Sequence, residues 1–243
     1  MFNEEENIEH AVKVATSALR EFARDHEIVI VDDASTDRSP EIVLRLALAD
    51  PRVHYLRHES NLKLGASLRD GFAAATKDLV LYMDADLPFD PREIGRAISA
   101  MAVTRADMIA AYRLDRTSEG PRRTIYSFAY NWLIGVLFGW PHRDINFSFK
   151  LMKREVLEAV ELHSEGSLIS AELIVKAKGL GFTIQQIGMD YFARTRGRST
   201  LSSIGVIGKI LRELVALYPE MKHPRRKDAR AVPAPAASDR SAS

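Results

Sequence analysis

Strand-like and helix-like segments alternate through the first half of this 243-residue chain, and this alternation limits the possible folds more than any other feature. The apolar or β-branched segments predicted as strands are residues 27–31, 53–57, 79–83 and 107–112. The segments predicted as helices are residues 5–23, 40–49, 65–75 and a stretch that follows residue 90. Because parallel strands need helical crossovers, this order favours a mainly parallel sheet with helices on both faces. The predicted fold class is therefore α/β.

Local motifs predict how three of these helices begin. Asn3, with Glu6 three residues later, has the capping-box pattern ahead of the first helix. Ser39 is the expected cap of the helix that starts with Pro40. Asp90 precedes a further helix in the same way, so it is predicted to be a cap and not a ligand.

Composition excludes several classes of protein. The chain has 46% hydrophobic and 28% charged residues, which suits one large α/β domain or a domain with a short appendage. Lys plus Arg number 34 and Asp plus Glu 33, so no overall charge directs it to nucleic acid. It has no cysteine for a disulfide or a thiolate zinc site. With no leader and no run of about 18 apolar residues, we expect a cytoplasmic protein that contacts a membrane, if at all, from its inner face.

Acidic residues follow two of the predicted strands. Asp32 and Asp33 come after residues 27–31, and Asp84 and Asp86 after residues 79–83. In parallel sheets, ligands bind at the carboxyl ends of the strands. Two carboxylates one residue apart suit a divalent cation that holds a phosphate. An acidic turn kept for solubility is the alternative for either pair, but two pairs at one edge favour a nucleotide-sugar site.

Four motifs in order carry a resemblance to a known family. They are residues 2–7 (FNEEEN), residues 32–37 (DDASTD), the set Asn61, Lys63, Gly65, Ala66, Leu68, Arg69 and Gly71, and residues 84–86 (DAD). On these motifs, residues 2–200 resemble the family 2 glycosyltransferases with a GT-A fold. Within that family they are most similar to the sugar transferases that use polyprenyl phosphates such as dolichol or undecaprenyl phosphate. The fold implied is the GT-A nucleotide-diphospho-sugar transferase sandwich.

The resemblance also implies a division of the chain. Residues 1–220 would form the transferase domain, with the nucleotide-binding half at about 1–112 and the acceptor half at about 113–220. Residues 221–243 are basic at first and then rich in Ala, Pro and Ser, which is typical of a disordered tail.

On the donor side, the resemblance implies a pocket for a nucleotide-diphosphate sugar. Its expected members are Asn3, Glu4, Asp32, Asp33, Lys63 and Asp84. Asp32 and Asp33 match the acidic pair that binds the base and ribose, and Glu4 lines the same pocket.

The resemblance assigns Asp84 and Asp86 to a Mg²⁺ or Mn²⁺ ion that bridges the diphosphate. Such a cation would lower the barrier by neutralising the charge that develops on the leaving group. Many synthases of this type carry a Gln two residues after the second Asp, whereas this chain has Pro88. The metal therefore lacks one expected protein ligand.

On the acceptor side, Arg113, Arg116, Arg122 and Arg123 precede an apolar, aromatic helix predicted at residues 124–140. The planar guanidinium group suits phosphate oxygens. The acceptor-phosphate contacts implied by the resemblance are Arg113, Arg123, Ser127, Arg194 and Ser199. A solvated basic loop is the alternative, most of all for Arg113 and Arg116.

The acceptor determines the expected mechanism. A phosphate monoester is mostly a dianion at neutral pH and needs no general base, so we expect an inverting transferase that works by positioning and charge stabilisation. The residues expected to carry catalysis are Asp86, Asp144, Arg123 and Arg194. Asp144 matches the aspartate that is a base in relatives with hydroxyl acceptors, and we expect an acceptor-side role for it here. Capping, or pairing with Arg143, is the alternative.

Two segments indicate contact with a membrane surface. The helix at residues 124–140 is too short to span a bilayer but rich in aromatic residues, and core packing is its alternative. An amphipathic stretch at residues 204–217 is followed by a basic cluster at residues 222–227. Basic residues there favour an anionic lipid surface, and a solvated terminus is the alternative.

The start of the chain departs from the family pattern. Members begin with an apolar strand that leads into a Pro-x-Tyr-Asn-Glu motif, whereas Met1 lies inside that motif. We therefore expect the central first strand to be missing and the true start codon to lie upstream. Direct transfer to a polysaccharide or glycan hydroxyl remains an alternative function, as does an inactive nucleotide-binding or scaffold protein.

Overall fold

A computed structural model describes residues 1–115, 120–139, 143–192 and 204–227, with the backbone alone at residues 121–123, 204, 206 and 207. Its helices are α1 (Ile8–Phe22), α2 (Ser39–Ala49), α3 (Lys63–Ala74), α4 (Glu93–Thr104), α5 (Pro121–Phe138), α6 (Arg154–Ala159), α7 (Ile169–Gly179) and α8 (Ile204–Lys222). Its strands are β1 (Ile28–Asp32), β2 (Val53–Arg57), β3 (Leu79–Tyr82), β4 (Met108–Arg113), β5 (Lys150–Lys153) and β6 (Ile184–Met189). The predicted α/β class is confirmed.

The strands form two sheets, of which the first is parallel and the second mixed. In the first, β1 and β2 are parallel, with Ile28 opposite Val53. In the second, the order is β3-β5-β4-β6, and β4 and β6 are parallel. Strand β5, which the sequence analysis did not predict, runs antiparallel to both β3 and β4. The short antiparallel β5 thus joins β3 and β4, two of the predicted strands, within the second sheet.

A cavity separates the two sheets. Within the described residues, no strand of one sheet is hydrogen-bonded to a strand of the other. Between β1, β3 and α1 lies a cavity of about 1480 Å³, lined by apolar residues of all three elements. The Met1 amine donates to the Val31 carbonyl, and the Met1 carbonyl accepts from the Asp33 N–H at 2.9 Å, as in a parallel pair. The first residue of the chain thus pairs with β1 beside this gap.

This cavity corrects one prediction about burial. The segment at residues 79–83 was predicted as a buried strand, yet only Tyr82 is buried and Leu79 is 37% exposed. One edge of β3 faces the cavity instead of another strand. Val80 and Leu81 are only partly buried, although each packs against buried residues of the core.

All three predicted helix caps are wrong. Asp90 lies two residues ahead of Arg92, the cap of α4, and its side chain accepts from the Arg92 N–H at 2.9 Å. Helix α1 begins at Ile8 after Asn7, and the Asn3 side chain instead accepts a hydrogen bond from the Thr36 N–H at 2.8 Å. Ser39 is the first residue of α2, and its hydroxyl accepts from the Glu4 N–H at 2.8 Å. The Asn3 side chain thus connects the N-terminal loop to the loop after β1, and the Ser39 side chain connects it to the start of α2. These tertiary contacts take the place of local capping.

The main core lies between the second sheet and the helices of the second half. Met108, Met152, Ile134, Ile174 and Leu214 belong to one cluster that joins β4, β5, α5, α7 and α8. On the other side of the sheet, a second cluster includes three phenylalanines, and Phe89 and Phe149 lie 5.0 Å apart in an edge-to-face arrangement. This contact anchors the loop after β3 against β5.

Candidate active site

The loops that follow β1, β2 and β3 meet the N-terminal loop at one edge of the molecule. The Asn3 N–H donates to the Ser35 hydroxyl and the Glu5 N–H to Asp37, both at 3.0 Å. Burial lowers the pKa of the Met1 amine, while nearby carboxylates oppose that shift. Those carboxylates belong to Asp32, Asp84, Asp33 and Glu4. The structure thus gathers four predicted donor-site residues around the first residue of the chain.

Asp32 is fully buried and organises the loop behind it. One carboxylate oxygen accepts from the Ser35 N–H at 2.9 Å, and the other accepts from the Tyr55 hydroxyl at 2.7 Å. Burial, followed by the hydrogen bond to Asp32, raises the pKa of Tyr55. The Arg57 guanidinium lies 3.7 Å from the same carboxylate. These partners fix the orientation of Asp32.

Asp33 connects β1 to the start of α3. Its Oδ1 accepts from the Leu62 N–H at 2.7 Å, and its Oδ2 accepts from the Lys63 N–H at 2.8 Å. A carboxylate at this position is stabilised by the positive end of the helix dipole. The Asn61 side chain also donates to the Asp33 carbonyl at 3.2 Å. Lys63 and Asn61, which both belong to the quoted motifs, therefore lie beside Asp33.

Strained backbone conformations concentrate in these loops. Among the described residues, the non-glycine positions with positive φ are Asn3 (56°), Ala34 (63°), Lys63 (71°), Leu87 (50°) and Arg105 (54°). Asn3, Ala34 and Leu87 lie in the loops that form this edge, and Lys63 is the first residue of α3 beside them. Such conformations cost about 1–3 kcal/mol each and are found chiefly where a site must be held in one shape.

Asp84 and Asp86 follow β3 directly, and both are partly exposed. The Tyr82 hydroxyl donates to Asp84 at 3.2 Å. Burial raises the pKa of Tyr82 well above its usual range, and the negative charge of Asp84 adds to the shift. No group of three His, Asp or Glu side chains in the described parts of the chain could hold a metal alone. Mg²⁺, however, commonly uses one or two protein carboxylates together with substrate phosphates and water. The pair therefore fits a hard cation held jointly with a diphosphate.

Pro88 gives no further ligand. It is buried, and its carbonyl accepts a hydrogen bond from the Phe192 N–H at 2.9 Å. The Pro88 carbonyl is thus already hydrogen-bonded within the protein, and a proline side chain has no atom that could bind a metal.

Asp144 and Arg113 form a buried ion pair. Arg113 Nε donates to one carboxylate oxygen at 2.6 Å and its terminal nitrogen to the other at 2.7 Å. The side chains are 7% and 0% exposed, and the guanidinium stacks 5.2 Å from the Tyr191 ring. Arg113 is thus not part of a solvated loop. The guanidinium of Arg143, which the sequence analysis gave as the alternative partner of Asp144, lies 4.9 Å from the centre of the Tyr112 ring.

Lys150 is a site residue that the sequence analysis missed. It is 1% exposed, its ammonium donates to the Phe147 carbonyl at 2.7 Å, and it lies 5.4 Å from the Tyr82 ring. Burial lowers its pKa to about 8, while Asp144 and Asp84 oppose the shift. The available signal was a single lysine within an apolar segment that includes Phe147, Phe149 and Leu151. Lys150 places a buried positive charge between the metal motif and Asp144.

Of the other predicted acceptor residues, only Ser127 has a side chain in the described part of the chain. Arg194, Ser199 and the side chain of Arg123 lie outside the described residues. Ser127 lies partly buried in α5. The predicted phosphate contacts of Arg113, Arg123, Ser127, Arg194 and Ser199 therefore stay predictions.

Helix α5 has one apolar face in contact with the core and another in solvent. Ile134 is 2% exposed, whereas Ile125, Phe128, Trp132 and Val136 are between 61% and 71% exposed. Their spacing of three or four residues places these four on one face, called here the α5 apolar face. Core packing consequently accounts for only part of the helix. Of the helices in the described ranges, none combines the length and hydropathy that crossing a bilayer requires.

Comparison with known proteins gives one family over most of the chain. The model of the family described as glycosyl transferase family 2 matches residues 1–161. Glycosyltransferase AglD of Haloferax volcanii is 30% identical over 197 residues, which cover 78% of this chain and 32% of that protein. Polyprenol monophosphomannose synthase of Mycolicibacterium smegmatis is 30% identical over 190 residues, covering 74% and 71% of the two chains.

A third relative and the solved structures extend this picture. Dodecaprenyl-phosphate galacturonate synthase of Rhizobium johnstonii is 28% identical over 169 residues, or 68% of this chain and 49% of that protein. The chain thus spans a third to a half of two of these relatives. Among solved structures, glucosyl-3-phosphoglycerate synthase from Mycobacterium tuberculosis, with Mn²⁺, UDP-glucose and phosphoglyceric acid, has a TM-score of 0.69 at 18% identity. That alignment covers 94% of this chain and 79% of the other, and it confirms the GT-A fold.

Proposed function

Because the chain belongs to glycosyl transferase family 2, we propose that it moves a sugar from a nucleotide-diphosphate sugar to a polyprenyl phosphate. One observation carries the proposal. Asp84 and Asp86 lie at the same edge as Asp32 and Asp33, and Lys150 links that edge to the buried pair of Asp144 and Arg113. Donor and acceptor chemistry would therefore meet at one place.

On the donor side, the loop held by Asp33 would receive the nucleoside and the pair Asp84 and Asp86 would hold the divalent cation. When bound, Mg²⁺ or Mn²⁺ would supply positive charge to the departing diphosphate. The protein's own contribution is to fix its carboxylates before the donor arrives, as the partners of Asp32 and Asp33 do. Preorganised charges of this kind need no rearrangement during the reaction.

On the acceptor side, the state of Asp144 favours a phosphate over a hydroxyl. A general base must reach the proton that it removes, and Asp144 is 2% exposed with both oxygens accepting from Arg113. A phosphate dianion needs no such base, and its attack opposite the leaving group would invert the anomeric carbon. Two of the relatives are named as synthases of polyprenyl-phosphate sugars, which agrees with this choice.

A lipid acceptor implies work at a membrane surface, and we assign that contact to the α5 apolar face, on the cytoplasmic side. Exposed Phe128 and Trp132 suit the boundary between headgroups and acyl chains. The test is co-sedimentation with vesicles that contain anionic lipid. Replacing both residues by Ala should reduce binding, whereas Leu48→Ala, at a leucine that is 88% exposed on α2, should not. Equal binding by all three proteins would contradict the assignment.

The test of the function itself is a donor screen. Radiolabelled UDP-sugars and GDP-sugars are each incubated with undecaprenyl phosphate and Mn²⁺, and label is counted in the organic phase. We expect one donor to label the lipid, and Asp86→Asn to abolish the transfer. Asp78→Asn is the matched control, since Asp78 is exposed at the opposite end of β3. Label on a polysaccharide, or none with any donor, would contradict the proposal.

A further inference from the structure

His58 bridges two carboxylates at the edge of the candidate nucleotide pocket. It follows β2, and its Nδ1 lies 2.8 Å from Asp33 Oδ1 while its Nε2 lies 3.0 Å from Asp70 Oδ2. The side chain is 9% exposed, so water does not replace these partners easily. The ring therefore joins the loop after β1, which carries Asp33, to α3, which carries Asp70.

This geometry determines the protonation of the ring. An ionised carboxylate only accepts hydrogen bonds, and a neutral imidazole has a single N–H to donate. A neutral His58 would thus place a nitrogen lone pair against one of the two carboxylates. The imidazolium form satisfies both, since each of its ring nitrogens is a donor.

The electrostatic surroundings of His58 also favour its imidazolium form. Burial alone would lower the pKa of His58, but its hydrogen bonds to Asp33 and Asp70 outweigh that effect and raise the pKa above 6.5. The charged groups that face the ring are Asp33, on the side of β1, and Asp70, on the side of α3. Both favour the protonated ring.

Through Asp33, the ring acts on the pocket. The oxygen that faces His58 also accepts from the Leu62 N–H, and the other oxygen accepts from the Lys63 N–H. Lys63 has a positive φ of 71°, a conformation that its surroundings must hold. Movement of the Asp33 carboxylate would therefore shift residues 61–63, which border the candidate nucleotide pocket and lead into α3.

We propose that His58, as an imidazolium between Asp33 and Asp70, is a positioning residue that shapes the nucleotide pocket, an inference that rests on the proposed function. His58 acts through Asp33 and does not itself contact the substrate. Its loss, or its deprotonation at alkaline pH, releases Asp33 on one side. The pocket then binds the nucleoside diphosphate less tightly.

The experiment measures the affinity for UDP and for GDP by calorimetry between pH 6 and 9. Wild-type affinity should fall about tenfold as the ring loses its proton, the effect of losing one charge-assisted hydrogen bond. His58→Gln should bind about tenfold more weakly at pH 6.5, without this pH dependence. His54→Gln is the matched control, because His54 lies on the same strand with its side chain 49% exposed.

Asp70→Asn separates positioning from simple structural support. It removes one of the two carboxylates that favour the imidazolium, so the midpoint of the pH profile should move to lower pH. Nitrogen-15 NMR of the ring gives a direct reading in the full chain, with both nitrogens protonated at neutral pH as the expected result. A neutral ring, or pH profiles that coincide in wild type and His58→Gln, would overturn the inference. Absence of UDP and GDP binding at every pH would instead contradict the proposed function.

Discussion

Single residues set the electrostatics of this site because several of its charges are buried. Asp32 is 0% and Asp144 2% exposed, and each accepts hydrogen bonds from fixed donors. Burying a carboxylate without such partners would cost several kcal/mol. The site consequently holds its negative charges in place before any ligand arrives.

The first prediction concerns the buried charge of Lys150. Lys150→Met removes the buried positive charge that interacts with Asp84 and Asp144, so we expect the transfer rate to fall about tenfold or more. Stability should not fall with it, because burying an ammonium group is itself costly. Initial rates and thermal melts of the same preparation check both statements. Lys150→Arg keeps the charge and should retain more activity than Lys150→Met; equal rates in wild type and Lys150→Met would refute the role.

Residue chemistry also explains which site members could be predicted. Asp32, Asp33, Asp84 and Asp86 follow strands in the sequence, so a local pattern places them at one edge. Lys150 and His58 could not be found in this way. The apolar segment around Lys150 signals only its burial. The partners that give these residues a role, Asp84 for Lys150 and Asp33 for His58, are distant in the sequence, and no local pattern records them.

At the scale of elements, the loop at residues 160–168 holds α3 in position. The Gly65 N–H donates to the Glu165 carbonyl at 2.8 Å, and Arg69 donates to the Ser164 carbonyl at 2.6 Å. A side chain at Gly65 would place its Cβ 1.9 Å from the Ser164 carbonyl oxygen. Only glycine allows this close approach between helix and loop.

Gly65→Ala is therefore expected to destabilise the protein. The added methyl group must displace backbone, and overpacking of this kind costs about 1–3 kcal/mol. Urea unfolding measures the change. Gly208→Ala in α8 is the control, since an added Cβ there meets no described atom within 4 Å and alanine favours a helix. Equal loss of stability in both variants would contradict the close-contact argument.

The same loop depends on the buried carboxylate of Glu172 in α7. It accepts from the His163 and Ser164 N–H groups and from the Lys176 ammonium at 2.7 Å. Burial alone would raise the pKa of Glu172, but Lys176 and Ser164 outweigh this and hold it below 4.5. Its stabilisation is then complete above about pH 4.5 and is lost as the pH falls through the lower folded value.

Glu172→Gln should cost about 1.5–3 kcal/mol at pH 7, because it removes the nearer carboxylate of buried Lys176, at 2.7 Å, and leaves only that of Glu220, at 3.4 Å. The cost should shrink in acid, where the wild-type carboxylate is itself protonated. Denaturant unfolding at pH 7 and below pH 4 measures this difference. Glu155→Gln, at an exposed glutamate of α6, should change little at either pH. A cost that does not vary with pH would rule out the ionised carboxylate as its source.

Helices and strands could be predicted where local sequence determines them, and not where tertiary contacts do. β2 and the alternation of the first half follow from local apolar patterns, and β2 has the predicted bounds of residues 53–57. The capping box at Asn3 failed because its side chain bonds Thr36, which is 33 positions away. The four-residue β5 was missed because its pairing with β3 and β4 comes from tertiary structure.

At the scale of the whole molecule, the family and the GT-A fold could be predicted because ordered motifs lie at strand ends along the chain. The consequences of the gap between β1 and β3 could not be read from those motifs. Among the described residues, no strand pairs with β1 or β3 across the gap, and the Met1 amine lies beside it, partly buried, near four carboxylates. Unfilled apolar space and buried unpaired backbone groups both reduce stability.

Filling the gap should therefore stabilise the whole molecule. An engineered chain with an apolar, β-branched segment of five residues before Met1, matching the length of β1, could continue the pairing that Met1 begins. For a chain of this size each kcal/mol is worth about 2–4 °C, and we expect the melting temperature to rise by about 5 °C or more. The pH dependence should change as well. In the unextended chain the lowered pKa of the Met1 amine makes stability rise with pH up to about 8.0, and the extension removes that amine from the site. A Gly-Ser extension of equal length is the control, and equal melting temperatures for the two extended chains would show that the cavity does not accept a strand.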